Sequence, residues 1–257
     1  PTSYRDTMHP PQKLHIRYNM GANMGYIVFG NDERMSETRK LLAVEKTADV
    51  ICVFSPSLTV ITEDTRKIPW GSKAYAKDFD KEAAAILANK SVETFRYGDF
   101  PDFKEVNSRL TAEAVIAILL SKSKKLLADE KILVVGYGGC GRETVKYLEA
   151  LKCDCTVMTS RPEKVRERAD TVGYDAPVSD FDFIVNTAPS RIISNEKLLT
   201  LKNGAEIIDI ASAPYGIDHD FAEKNGIAHG IYPCLPVRYK SAAAGQAIVN
   251  LVRREYD

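Results

Sequence analysis

The pattern with the clearest chemical meaning is a glycine-rich turn in residues 131–143, KILVVGYGGCGRE. An apolar stretch leads into Gly136, Gly138 and Gly141, and an amphipathic helical pattern follows at once. This is the G-x-G-x-x-G spacing of a dinucleotide-binding unit, where glycines make the turn, admit a pyrophosphate and let the helix pack on the strand. We expect Gly136, Gly138, Gly139, Cys140 and Gly141 to bind a dinucleotide. The alternative is a glycine turn in a parallel sheet without a nucleotide.

The end of the next predicted strand indicates which nicotinamide cofactor is bound. An NAD site places Asp or Glu about twenty residues after the glycines, whereas an NADP site lacks that acid and supplies Arg. Here the strand ends in Thr159-Ser160-Arg161, with Pro162 and Lys164 close behind. We therefore expect NADP, with NAD as the alternative, beside Thr159, Ser160, Arg161 and Lys164. The competing interpretation is that the two cations form an ordinary solvated face.

Strands and helices alternate on both sides of the glycine turn, which predicts an α/β fold. We expect a doubly wound parallel Rossmann sheet with a second, smaller N-terminal α/β domain, and an active site in the cleft between them. Residues 97–106 are expected to form a loop, and residues 165–169 a helix. The predicted divisions are a poorly ordered arm over 1–25, an N-terminal domain over 26–108, a connecting helix over 109–127, the dinucleotide domain over 128–240 and a closing helix over 241–257.

The composition is that of an ordinary globular protein and excludes several functional classes. The 257 residues are 44% hydrophobic, and 35 Lys plus Arg balance 35 Asp plus Glu, so the charge favours neither nucleic acid nor an anionic membrane as partner. The first 25 residues contain no apolar core of a secretory signal, and no apolar run is long enough to cross a bilayer. The five cysteines include no C-x-x-C pair. This indicates free thiols, no metal site and a reducing, cytoplasmic location.

Several separated motifs resemble the family formed by the A subunits of dipicolinate synthase. In chain order they are Leu110-Thr111-Ala112-Glu113, the glycine turn, Asn186-Thr187-Ala188-Pro189, Asp209-Ile210-Ala211-Ser212-x-Pro214-x-Gly216-x-Asp218, and Leu235-Pro236 followed by Ala244-Gly245-Gln246. The resemblance implies an NADP-linked oxidoreductase that converts a tetrahydrodipicolinate-type cyclic acid of the lysine pathway into dipicolinate in spore-forming bacteria. It also implies kinship with the 2-hydroxyacid and alanine dehydrogenase folds.

The resemblance further implies partners and cofactor contacts. The expected ligand is a small carboxylic acid, and some members work beside a second, flavoprotein-like subunit. Homo-oligomers are common among such enzymes, although the sequence carries no specific interface signal. The residues placed near the cofactor by loop position and resemblance are Asn186, Thr187, Ala188, Pro189, Ala211, Ser212, Pro214, Tyr215 and Gln246.

The loops expected to face the cleft depart from the family pattern. Ala213 stands where Lys is usual, and Tyr215 stands at the first of two paired glycines. Residues 242–243, Ala-Ala, replace Lys-Thr, and Cys234 and Val237 replace loop glycines. A dicarboxylate substrate needs cationic partners, and these loops contain two lysines fewer than the family pattern. Lys240 and Arg238, from the same region, could compensate.

Candidate catalytic residues are few, because the nicotinamide itself carries the hydride chemistry. His219 and His229 are the histidines beyond residue 25, and an imidazole can act as acid or base near neutral pH. We expect His229 to be structural and name His219, Ser212 and Lys240 as catalytic candidates. The alternatives are a related dehydrogenase or reductase acting on another imine or oxo acid, and a non-catalytic nucleotide-binding subunit.

Overall fold

The computed structural model describes residues 25–43, 47, 49–165 and 169–254. These residues form two main parallel β-sheets with packed helices, and one long helix leads from the first unit to the second. The predicted α/β class is confirmed. Apart from Gly25, the arm expected over residues 1–25 lies outside the described residues.

The N-terminal unit is made of short strands and two helices. In chain order its strands are β1 (Tyr26–Phe29), β2 (Ile51–Phe54), β3 (Thr59–Val60), β4 (Lys73–Ala76), β5 (Asp78–Phe79) and β6 (Glu93–Arg96), and its helices are α1 (Glu33–Leu42) and α2 (Lys81–Asn89). The main sheet is parallel with the order β1-β2-β4-β6, and β3 pairs with β5. Asp32 and Asp80 begin the two helices, because each carboxylate accepts a first-turn N–H, at 2.9 Å and 2.7 Å.

The helix between the units starts and ends earlier than the sequence predicts. It is α3 (Pro101–Lys122), so the loop expected over 97–106 is wrong from Pro101 onward. A proline is favourable in the first turn, because that N–H has no helical partner in any case, and Phe103 is buried in the core of the N-terminal unit. The helix expected over 109–127 is therefore displaced toward the N-terminus.

The second unit is a six-stranded sheet. Its strands are β7 (Lys131–Val135), β8 (Asp154–Met158), β9 (Asp170–Val172), β10 (Phe183–Asn186), β11 (Glu206–Asp209) and β12 (Ala228–Ile231), and the helices that follow α3 are α4 (Gly139–Ala150), α5 (Asn195–Leu198), α6 (His219–Lys224) and α7 (Leu235–Arg253). All strands are parallel in the order β12-β11-β10-β7-β8-β9. This is the strand order of a doubly wound Rossmann sheet, and it confirms the predicted fold class.

The segment between β8 and β9 differs from the prediction. Residues 162–164 form a 3₁₀ turn, and the backbone at Val165 is already extended. Residues 166–168 lie outside the described residues, and Ala169 is a bend directly before β9. A helix over the whole of 165–169 is therefore excluded, because both of its ends are non-helical.

The last helix is broken and reaches back to the N-terminal unit. The backbone of α7 is non-helical at Lys240, so the helix consists of two parts that meet at this residue. Beyond the break, Ile248 and its neighbours pack with Met35 in the N-terminal core. Gly245 permits the close approach, because a Cβ there would lie 3.0 Å from the Arg34 carbonyl oxygen. The C-terminal helix thereby ties the two units together.

Candidate active site

The glycine turn has the geometry that its spacing predicts. Gly136 follows β7 with φ +93°, a left-handed conformation that favours glycine. A Cβ at Gly141 would lie 2.2 Å from the Gly136 carbonyl oxygen, so glycine alone lets α4 begin this close to the strand. A Cβ at Gly138 would meet nothing within 4 Å. The turn is therefore tight on its protein side and open where a phosphate would approach.

Ser108 of α3 packs against the start of α4. Its hydroxyl oxygen would lie 2.6 Å from a Cβ at Gly139 and is 3.9 Å from the Cys140 sulfur. Burial raises the pKa of the Cys140 thiol, so this side chain is a neutral packing group at physiological pH. The first N–H groups of α4, which have no partner within the helix, remain as the donors of the turn.

The end of β8 presents hydroxyl and cationic groups. Thr159 is buried, and its Oγ1 accepts a hydrogen bond from the Arg161 backbone N–H at 3.3 Å. Ser160, Arg161 and Lys164 are exposed and follow the strand that pairs directly with β7. Glu163 lies in the same 3₁₀ turn, so the described residues 160–165 carry two cations and one anion.

Side-chain hydrogen bonds of Asn186 and Thr187 hold the loop that follows β10 in place. The Asn186 amide donates to the Ala188 carbonyl oxygen at 3.1 Å, and the Thr187 hydroxyl donates to the Val135 carbonyl oxygen at 3.0 Å. These bonds hold residues 187–188, and with them Pro189, against the end of β7. The predicted cofactor residues of this loop therefore lie next to the glycine turn.

A buried carboxylate organises the ends of β10 and β11. Asp209 is 0% exposed. Its Oδ1 accepts hydrogen bonds from the Asn186 amide at 2.8 Å and the Ala211 N–H at 3.1 Å, and its Oδ2 accepts from the Gly216 N–H at 2.8 Å. His219 Nε2 lies 3.1 Å from Oδ2, and since a carboxylate only accepts, we assign the proton to Nε2. One side chain thus joins two strand ends, the following loop and the start of α6.

His219 contacts the loop that follows β11, residues 210–216, through Tyr215. Its side chain is only 13% exposed, and its ring contacts the Tyr215 ring edge-on, with 5.4 Å between centroids. The centroid of the His229 ring lies 5.1 Å from that of the His219 ring. Within the described part of the chain, His219 Nδ1 is buried without a hydrogen-bond partner. These contacts suit a group that positions the loop, and the catalytic role of His219 stays a prediction.

The loop that carries Ser212 has strained and crowded positions. Ser212 is exposed, whereas Tyr215 has φ +66°, a conformation that costs a non-glycine residue energy. A Cβ at Gly216 would lie 2.1 Å from the Asn186 side chain, so this residue must be glycine. The loop therefore packs directly against the ends of β10 and β11.

A cavity of about 880 Å³ separates the two units. The N-terminal unit contributes Arg34, Ser57 and Lys77, α3 contributes Asn107, Ser108 and Thr111, and the second unit contributes Gly139, Cys140, Arg142, Ile210 and Cys234. Its walls come from the carboxyl ends of strands in both sheets, where α/β folds bind ligands. The cleft expected between the units is present.

Two residues assigned from the sequence make other contacts. Lys240 Nζ lies 2.7 Å from Glu113 Oε2, and the Tyr147 hydroxyl donates to Glu113 Oε1 at 3.0 Å. The hydrogen bond from Lys240 lowers the pKa of Glu113, and Glu113 raises the pKa of Lys240. Gln246 donates to Asn250, one turn later in α7. Neither Lys240 nor Gln246 is among the cavity-lining residues, and their assigned roles stay predictions.

Sequence reasoning missed the cations that line the cavity, among them Arg142 and Arg34. Arg142 directly follows the third glycine of the turn, and this adjacency was a usable signal. Arg34 lies in the first turn of α1 and lines the opposite wall. No local pattern marks it, because its surroundings come from β2 and the loop that follows it.

The thiols should differ sharply in reactivity. All five cysteines are free, and Cys234 alone is exposed, while burial raises the pKa of Cys52 and Cys155 to about 12. Because the thiolate is the reactive form, we expect an aromatic disulfide reagent at mildly alkaline pH to modify Cys234 first. Cys52 and Cys155 should react only after denaturation. The fast phase of thiol modification should disappear in Cys234→Ser. If it persists in that variant, Cys234 is not the most reactive thiol.

Comparisons with known proteins agree with this geometry. Residues 103–220 match the family described as D-isomer specific 2-hydroxyacid dehydrogenase, NAD binding domain. The A subunit of dipicolinate synthase from Bacillus subtilis (strain 168) is 27% identical over 190 residues, which cover 71% of this chain and 62% of that protein. The match thus spans less than two thirds of the curated relative.

Two solved structures share the fold of almost the whole chain. The A subunit of dipicolinate synthase from Bacillus halodurans has a TM-score of 0.76 at 17% identity, covering 91% of this chain and 99% of that one. The corresponding chain of dipicolinate synthase from Bacillus subtilis has a TM-score of 0.74 at 20% identity, covering 91% and 96%.

The matches show which proteins the chain is similar to. It is similar to the A subunit of dipicolinate synthase, and its residues 103–220 are similar to the NAD binding domain of D-isomer specific 2-hydroxyacid dehydrogenases. Among the described residues, no helix is both long enough and apolar enough to cross a membrane.

Proposed function

We propose that this chain, which is similar to the A subunit of dipicolinate synthase, is an NADP-dependent oxidoreductase that oxidises a tetrahydrodipicolinate-type cyclic acid to dipicolinate. The observation that carries the proposal is the glycine turn, which opens into a cavity between two α/β units. The turn is closed by Gly141 on its protein side and free of contacts beside Gly138. That combination fits a pyrophosphate, because the backbone itself must approach the ligand.

The residues at the end of β8 support NADP over NAD. Ser160, Arg161 and Lys164 are exposed beside the turn, and no carboxylate occupies the position that would accept the ribose 2′-hydroxyl. Arg161 would pair with a 2′-phosphate, for which a guanidinium is well suited. Glu163 weakens the positive field without removing it, because Arg161 and Lys164 outnumber it within residues 160–165, where the structure describes the chain.

The bound nicotinamide would supply the hydride acceptor. Each oxidation removes one hydride to the cofactor and one proton to solvent. A ring at the tetrahydro level therefore becomes aromatic after two oxidations, or after one oxidation and loss of water from a hydroxylated ring. Such a product gains aromatic stability, which reduces the need for a strong protein base.

The chain's own contribution is to hold the loops around the reacting ring. Asp209 anchors the loop that carries Ser212 through Ala211 and Gly216, and His219 supports that loop from below. Ser212, exposed at the edge of the loop, is the hydroxyl that we propose to lie nearest the nicotinamide. His219 stays a candidate catalytic residue because it contacts this loop. Lys240 stays one because it would add positive charge near the cleft.

A different acid is the second candidate for the substrate. Tyr215 and Cys234 both have positive φ, +66° and +56°, at positions where the resemblance expects glycine. The backbone keeps a glycine-like conformation there while side chains occupy space that a glycine leaves free. Cys234 lines the cavity, so the site differs in shape, which favours a related imine or oxo acid as the alternative.

A turnover assay tests the proposal. The purified chain is mixed with NADP⁺ and freshly prepared hydroxylated tetrahydrodipicolinate, and NADPH absorbance and dipicolinate formation are followed together. We expect both to rise in proportion. Turnover of the cofactor with another imino or oxo acid, and none with this substrate, would favour the alternative. Tight NADPH binding without turnover of any acid would identify a non-catalytic subunit.

A further inference from the structure

A buried guanidinium forms part of the cavity wall opposite the glycine turn. Arg34 is only 4% exposed, yet it lines the cavity. Its Nη2 donates to the hydroxyls of Ser55 at 2.9 Å and Ser57 at 3.0 Å, and lies 3.4 Å from Asp32 Oδ2. The head group is therefore fixed in place by several contacts.

The charge of this guanidinium is only partly compensated. Asp32 is its nearest carboxylate, but that group also caps α1 through the Met35 N–H at 2.9 Å and accepts the Ser55 hydroxyl at 2.8 Å. The three contacts of the Arg34 head group all use Nη2, and within the described residues Nε is buried without a partner. A buried cation with spare donors is costly unless an anion meets it. The arrangement therefore calls for an anionic ligand.

Most of the other charged side chains that line the cavity are also positive. Within the part of the chain that the structure describes, the charged lining residues are the cations Arg34, Lys77, Lys104 and Arg142 and one acid, Glu105. Lys77 is exposed and directly follows β4, at the same sheet edge as Ser57, which follows β2. A ligand carboxylate beside Arg34 would thus meet a second cation and a hydroxyl.

The anionic position is close to the second unit. The Ser57 hydroxyl, which touches Arg34, also lies 3.9 Å from the Cys234 sulfur. Cys234 comes just after β12, in the wall that holds the glycine turn. A small molecule held at Arg34 can therefore reach across to the nicotinamide side.

We propose that Arg34, Ser57 and Lys77 form the binding site for a carboxylate of the substrate, and that they select carboxylic acids over neutral analogues. This inference rests on the proposed function, because it assigns the acid-binding half of the same cleft. Arg34 would donate a charge-assisted hydrogen bond to one carboxylate, and Lys77 would add a point charge.

Ligand binding in the presence of saturating NADPH tests this site. The probe is pyridine-2,6-dicarboxylate, its neutral counterpart is pyridine-2,6-dicarboxamide, and the readout is calorimetric titration. We expect Arg34→Lys to weaken dicarboxylate binding about tenfold, because the fixed guanidinium and its charge-assisted hydrogen bond are lost, and Lys77→Gln to weaken it by a similar factor. NADPH affinity should stay within about twofold in both, as expected for residues outside the dinucleotide site. Lys81→Gln, an exposed lysine of the same unit outside the cavity lining, is the matched control.

The results separate this inference from the proposed function. Dicarboxylate affinity unchanged in folded Arg34→Lys and in Lys77→Gln would overturn the carboxylate site, as would wild-type binding of the diamide equal to that of the diacid. If Arg34→Lys unfolds, Lys77→Gln and Ser57→Ala, both at exposed positions, decide the question. Failure of the wild type to bind NADPH would instead overturn the proposed function.

Discussion

Replacing Gly141 with alanine should abolish NADPH binding and destabilise the protein together. The new Cβ would lie 2.2 Å from the Gly136 carbonyl oxygen and 3.0 Å from the Thr187 hydroxyl. Backbone cannot yield as a flexible side chain can, so α4 must move away from β7. We expect the free energy of unfolding to fall by about 1–3 kcal/mol, as for other overpacked positions. Denaturant unfolding and NADPH titration would measure the two losses.

Gly138→Ala is the matched variant, because it should lose NADPH binding while keeping most of its stability. Its Cβ would meet no protein atom within 4 Å, and alanine for glycine at a helix N-cap costs about 1 kcal/mol or less. The methyl group would instead occupy the space where the pyrophosphate approaches the backbone. Normal NADPH affinity in a folded Gly138→Ala protein would show that the dinucleotide does not bind over this turn.

Replacing Asp209 with alanine should be the most destabilising single change near the cleft. Four donors would lose their acceptor: the Asn186 amide, the Ala211 and Gly216 N–H groups, and His219 Nε2. Breaking a fully buried, hydrogen-bonded charge network typically costs on the order of 3–5 kcal/mol. We expect a loss of that size in chemical denaturation, with turnover reduced in any folded fraction because the Ser212 loop loses its anchor.

Asp220→Asn provides the control for charge alone. Asp220 is an exposed acid in the first turn of α6, close in sequence to His219 but outside the network. Its substitution should change stability by less than about 0.5 kcal/mol. If Asp209→Ala were as mild as Asp220→Asn, the buried network would not be what holds the loop.

Much of the fold could be predicted because local signals and global packing agree. The parallel Rossmann sheet follows from the alternation of strands and helices, and Gly136 of the glycine turn adopts the left-handed conformation that its spacing requires. The start of α3 could not be predicted as well. Pro101 and the aromatic residues around it are typical of a loop, and only the packing of Phe103 in the N-terminal core turns them into the first helical turn.

The site was harder to predict, because its contacts join residues far apart in the chain. His219 could be named as a polar residue of interest, but its partner Asp209 lies at the end of a strand that has the pattern of buried core. Arg34 gains its meaning from the hydroxyls of Ser55 and Ser57, more than twenty residues later. Nothing in a local window shows that Lys240 meets Glu113. Such pairs depend on tertiary placement, which periodicity and spacing do not encode.

The most direct test of the dinucleotide site is a parallel titration of the wild type and Arg161→Ala with NADPH and NADH. We predict tighter NADPH binding in the wild type and a selective loss of roughly tenfold or more in the variant, the effect of losing one charge-assisted contact. NADH affinity in the same variant is the internal control and should stay unchanged. Equal or preferential binding of NADH by the wild type would contradict the assignment of the 2′-phosphate to Ser160 and Arg161. Failure to bind either cofactor would contradict the central claim that the glycine turn is a nicotinamide dinucleotide site.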